Sequence, residues 1–165
     1  MDHEPRCRTA SGTPPVGETH SHLVVFQHQL ANGRYLPTDV VLQYVSADPY
    51  AVGAHFNAGT PSEVVWLFDR EHLAEGMFTP VGEGDIKVRP FPDEPVSVLI
   101  ELSSPTGRAV FSVDIADLAR FLYCTYEIFL PGDEFSWVDF EHELSRLDPG
   151  EDNPSSTTWR PAAEP

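Results

Sequence analysis

Ser62 to Met77 reads SEVVWLFDREHLAEGM, and within it one periodicity gives way to another. Val64, Trp66 and Phe68 fall on one side of a strand, while Val65 and Leu67 make its other side apolar too. A strand buried on both faces belongs under a helix or against another subunit. At Asp69 the alternation stops. An Asp ahead of REHLAE can accept hydrogen bonds from the free N–H groups of a first helical turn and meets its dipole favourably. Gly76 suits the left-handed residue that closes such a helix.

Period-two patterning extends on both sides of this stretch. Upstream, Val24, Phe26 and Leu30 share a face with His28, and Val40, Leu42 and Tyr44 do the same in DVVLQYV. Asp48-Pro49 then turns the chain, and Tyr50, Val52, Ala54 and Phe56 point one way before the turn at Asn57–Pro61. Downstream, Ile86 and Val88 alternate with Asp85, Lys87 and Arg89, and VSVLIELS and RAVFSV form a hairpin about Ser104-Pro105-Thr106-Gly107. Two more helices are expected. Asp114 caps IADLARFLYCTY, whose Ile115, Leu118, Leu122 and Tyr126 make a stripe widened by Phe121 and Cys124. Asp139 caps FEHELSRL. Strand runs interrupted and followed by helices indicate an antiparallel, strand-rich α+β fold.

One domain is expected over residues 20–147, long enough to bury its own core. The ends, 1–19 and 148–165, are rich in Pro, Gly, Ser and Thr and are expected to be disordered tails. No apolar run approaches the roughly 20 residues of a membrane span, and no secretory h-region opens the chain. A cytoplasmic location and no membrane insertion are therefore expected. The formal net charge is −16, from 26 acids against 10 bases. Residues 20–147 alone hold 19 acids and 7 bases, a balance of −12. Such a surface repels phosphate backbones, so nucleic acid is not an expected partner, whereas a basic protein is.

Five places carry residue types that could support chemistry. Asp69, Glu71, His72 and Glu75 lie within seven residues, but a cap occupies Asp69, and Glu-x-x-His metal centres need a matching second helix. Glu71, His72 and Glu75 read as a solvated helix face that a partner can contact. His142-Glu143 begins H-E-x-x-H, yet position 146 is Arg. His20-x-His22 puts two imidazoles on one side of a strand without further ligands. Gly82-Glu83-Gly84-Asp85 flanks its turn with carboxylates that repel phosphate. Cys124, within an apolar helix face, reads as an inert thiol, and the two cysteines imply no disulfide framework. No catalytic residue, metal or cofactor is expected.

The strings SADPYAVGAHF, VVWLFDREHLAEGM, PVGEGDIKVRP and LIELSSPTGRAVF, with Phe121-Leu122, resemble in order and spacing the SsgA-like sporulation and cell-division proteins of actinomycetes. The resemblance runs from Leu23 to Leu147. It implies a non-enzymatic adaptor that positions septa or recruits division and peptidoglycan-remodelling machinery. Implied partners are the tubulin-like division protein FtsZ or another SsgA-like protein, with the chain recruited to the septum. It also implies a trimeric subunit related to single-strand-nucleic-acid-binding "whirly" proteins, and nucleic-acid regulation is the alternative function. A homo-oligomer would cover the apolar Val65 and Leu67.

Overall fold

The computed structural model describes residues 17–132. The helix expected after Asp139, the His142-Glu143 pair and most of both Pro-rich ends lie outside the described residues. Seven strands and two helices follow one another: β1 (Thr19–Gln29), β2 (Tyr35–Val45), β3 (Ala51–Phe56), β4 (Val64–Asp69), α1 (Arg70–Glu75), β5 (Ile86–Pro90), β6 (Ser97–Ser104), β7 (Gly107–Asp114) and α2 (Ile115–Ile128). All strands join one antiparallel sheet in the order β4-β3-β2-β1-β7-β6-β5. It consists of two meanders, β1–β4 and β5–β7. The seam between them registers only two residue pairs, Gln27 with Ser112 and His28 with Phe111.

The sheet is strongly curled. Neighbouring strands lie about 4.8 Å apart, so β3 and β7, three steps apart, would be separated by about 14 Å in a flat sheet. Instead the rings of Phe56 and Phe111 approach to 5.2 Å. Phe26 meets both, at 5.8 and 5.9 Å, edge-on, as aromatic quadrupoles prefer. Alternation delivers the core to the concave side: Val24, Phe26, Val40, Leu42, Tyr44, Val52 and Ala54 are all buried. Helix α2 packs against β1 and β7, burying Leu118, Phe121, Leu122 and Thr125. His20 of β1 stacks on Phe121 at 5.5 Å.

Both described caps form as expected. The Asp69 carboxylate accepts from the N–H groups of Glu71 (2.8 Å) and His72 (3.1 Å). That of Asp114 accepts from Ala116 N–H at 2.7 Å. The residue after Asp69, Arg70, is 1% exposed. Its Nη1 donates to the carbonyl of Phe129 at 2.9 Å, with longer contacts to Thr125 O (3.4 Å) and Tyr44 Oη (3.3 Å). The guanidinium lies over the rings of Tyr126 (4.9 Å) and Tyr44 (5.3 Å). It thereby serves the Phe129 carbonyl at the end of α2, while Thr125 O also accepts from Phe129 N–H at 3.0 Å.

One expectation is narrowed and two are corrected. Among the described residues no helix covers the second face of β4: within one chain it is an edge strand, with Val65 45% and Leu67 65% exposed, so only another subunit could cover that side. The strand enclosed on both sides is β6, where Ser97, Val98, Leu99 and Ile100 are buried in succession. Gly76 is right-handed, at φ −61° and ψ −15°. It is glycine because a Cβ there would stand 2.4 Å from Val88 Cγ1, so α1 abuts β5 directly. Cys124 is disulfide-bonded and so is not an inert thiol.

Replacing Asp69 with Ala should cost about 1 kcal/mol, the usual loss for a cap. Arg70→Met should cost more, about 3 kcal/mol, by removing the charged donor from the buried Phe129 carbonyl and its contacts over Tyr44 and Tyr126. Urea unfolding of both variants checks the order. A second expectation concerns pH. Burial disfavours the His20 imidazolium, His22 adds to the effect and Glu18 opposes it, so the pKa falls below its ordinary 6.5. The unfolded chain then takes up the proton first. This contribution is whole above pH about 6.5 and is lost as pH falls towards the lower folded-state value. His20→Phe should flatten that decline in denaturation midpoints measured between about pH 7 and pH 5.

Candidate partner-binding surface

Helix α1 is oriented by what it buries. Arg70 and Leu73 point inward, leaving Glu71, His72 and Glu75 exposed. With Asp69 occupied by backbone donors, this face offers two carboxylates and one imidazole on a helix fixed at both ends. Among the described residues, no three His, Cys, Asp or Glu side chains converge to hold a metal ion. His20 and His22 do share the concave side of β1, but His20 is taken up by the Phe121 ring. Gly82, at φ +90°, makes the tight turn before β5, where a Cβ would collide with Ile86 O. What α1 presents is a set of acceptors suited to a cationic contact.

The convex side of β1–β4 is the larger feature. Strand register places Leu23, Val41, His55 and Val65 in one row across the four strands, with Ser21, Gln43, Gly53 and Leu67 in the next. Leu23 is 59% exposed, and Val25, Val65 and Leu67 are also exposed. Thus Val65 and Leu67, the residues proposed for self-association, belong to a broader apolar face. Across it runs a groove of about 460 Å³, floored by Leu23 and Val41 and walled by Asp39, Asn57 and Thr60. His55 Nδ1 meets Glu63 Oε1 at 2.6 Å. That bond, with a second from Gly59 N–H, holds the Glu63 carboxyl below its ordinary pKa.

On the concave side, a cleft of about 360 Å³ opens where the sheet nearly closes on itself, between β4 and the β6–β7 hairpin. Phe56, Trp66, Leu102 and Phe111 line it. Arg108 at its rim is paired with Glu101, which leaves the mouth electrically balanced.

Glu71, His72 and Glu75 thus come together on one face, and Val65 and Leu67 on another. Sequence reasoning missed Leu23, Asp39, Thr60 and the His55–Glu63 pair. A signal for the convex face was present: from Thr19 to Asp69 the chain has one Lys or Arg, Arg34.

The chain as a whole is similar to known proteins. The family model described as Streptomyces sporulation and cell division protein, SsgA, matches residues 38–134. The chain is 46% identical over 114 residues to the sporulation-specific cell division protein SsgB of Saccharopolyspora erythraea, covering 69% of this chain and 81% of that one. To SsgB of Streptomyces coelicolor it is 39% identical over 131 residues, covering 79% and 92%. The crystal structure of an SsgA-like sporulation-specific cell division protein from Thermobifida fusca superimposes with a TM-score of 0.71 at 34% identity, covering 82% of this chain and 99% of that one.

If Glu71, His72 and Glu75 serve contact rather than folding, replacing all three with Ala should change stability by no more than about 0.5 kcal/mol. It should also relieve the like-charge pair Glu71–Glu75, one helical turn apart. Thermal unfolding of the triple variant checks this.

Proposed function

The chain belongs to the SsgA family of sporulation and cell division proteins, and from that premise we propose that it is an adaptor without catalytic activity. It positions septa, or recruits division and peptidoglycan-remodelling machinery, during sporulation. The observation that carries this reading is the anchoring of α1. Arg70 and the Asp69 cap fix a six-residue helix so that Glu71, His72 and Glu75 face outward at a constant orientation. A contact surface held this way loses little freedom on binding.

In this reading the protein acts in the cytoplasm and is brought to the septum by FtsZ or by another SsgA-like protein. Among the described residues, no helix is long and apolar enough to cross a membrane. We further propose that the chain assembles as a homo-oligomer, a trimer, through Val65 and Leu67 at the edge of the sheet. Association would multiply a weak contact at α1 by avidity. The scarcity of Lys and Arg from Thr19 to Asp69 argues against a nucleic-acid role.

Two measurements test the proposal. A fluorescent fusion of the Glu71→Ala, His72→Ala, Glu75→Ala variant should fold yet lose its septal bands in sporulating hyphae; unchanged bands would remove α1 from the mechanism. Light scattering of the wild-type chain should give about three times the 18.3 kDa chain mass. Val65→Ser with Leu67→Ser should return it to one chain. A wild-type monomer at micromolar concentration would end the oligomer reading.

A further inference from the structure

From the convex groove we infer that this protein docks a short basic, apolar segment of a partner protein, seated on Leu23 and Val41 with a Lys or Arg on Asp39. The groove has an apolar floor and a single carboxylate. Leu23 and Val41 are directly opposed in register, and Asp39 lies two residues before Val41 on the same side of β2. In an extended chain two residues span about 7 Å. A ligand laid along β2 with its apolar side chain over Leu23 and Val41 therefore brings the side chain two positions away to Asp39. The recognised pattern is an apolar residue, a spacer and a cation. Asn57 and Thr60, from the β3–β4 turn, wall the far side with hydrogen-bonding groups.

Charge selects the occupant. Among the described residues, no Lys or Arg lies in β1, β2, β3 or β4; Arg34 is in the turn between β1 and β2. Asp39, Glu63 and Asp69 stand about the face, and the whole chain carries −16. A second copy presenting the same face would set carboxylates against carboxylates, which is costly at an interface. An apolar segment without cations would leave Asp39 desolvated and unmatched. A basic, apolar segment satisfies both parts of the surface. The site is separate from the edge used for self-association, because the His55–Glu63 pair stands between Val41 and Val65 in the same row.

The test uses the full chain and three fluorescein-labelled peptides, repeats of Leu-Ser-Lys, of Ser-Ser-Lys and of Leu-Ser-Glu, followed by fluorescence anisotropy. The Leu-Ser-Lys peptide should bind at least about tenfold more tightly than either of the others, since one seated Leu or one matched charge is worth that much. Leu23→Asn and Asp39→Asn should each weaken it by about tenfold, while Asp93→Asn, in the loop between β5 and β6, should not. Equal binding of Ser-Ser-Lys, or equal loss with Asp93→Asn, would show diffuse charge attraction and overturn the site. So would no binding at all. A fall in light-scattering mass on Leu23→Asn would overturn it by assigning the groove to a second copy. The titration does not depend on septal localisation, so it can fail while the adaptor reading stands, and the reverse.

Discussion

A buried guanidinium holds the two helices to the sheet. Arg70 leaves water almost completely, and a cation in that position is tolerated only where acceptors and π-faces replace its hydration. The carbonyl of Phe129 does so at the end of α2, Tyr44 from β2, and Tyr126 from one turn earlier in α2. Those groups come from two separate parts of the chain, β2 and the end of α2. The contact therefore sets where α1 begins, where α2 ends and how both lie on the concave face. Asp69 is exposed and Arg70 buried because the backbone turns from strand to helix between them. That turn aims the acidic side of α1 outward.

The two faces of the sheet divide labour. The concave face is filled by alternate residues of each strand, by the Phe26–Phe56–Phe111 cluster and by α2. The convex face of β1–β4 keeps apolar side chains in water next to carboxylates, which contributes nothing to folding. The edges differ in the same way. Strand β5 is closed by reciprocal bonds between Val81 and Val88, at 2.8 and 3.0 Å. Among the described residues no strand covers the outer edge of β4. Open strand edges invite pairing, and proteins that do not want it block them.

Local signals in the sequence were reliable and non-local ones were not. Asp69 and Asp114 were legible as caps because capping depends on the next three residues. The Ser104–Gly107 turn was legible because a two-residue hairpin sets its own register. The stripe on α2 was legible for the same reason. The two-sided apolar pattern of β4 did not mean cover by a helix, since burial within one chain depends on a strand's rank in the sheet, and β4 takes the edge while β6 is flanked by β5 and β7. Gly76 carried no sign that Val88, twelve residues on, would press against it. Arg70 looked like one more surface charge until α2 supplied its acceptors from residues more than 50 positions away. The contact face at α1 could be read in advance. The groove could not, since its walls come from β2 and from the β3–β4 turn.

The narrow seam between β1 and β7 has a kinetic consequence. Every other strand pairing links neighbours in sequence, but this one joins His28 to Phe111, 83 positions apart. Closing so long a loop forfeits chain entropy before contacts return it, and non-local topology of this kind slows folding. The two meanders can form early as separate hairpin arrays, each with half of a core. Only when the seam shuts does Phe111 reach Phe26 and Phe56 and withdraw them from solvent. Until then the nascent protein is a pair of sticky half-sheets, so the interval before the seam closes is its period of greatest exposure to aggregation.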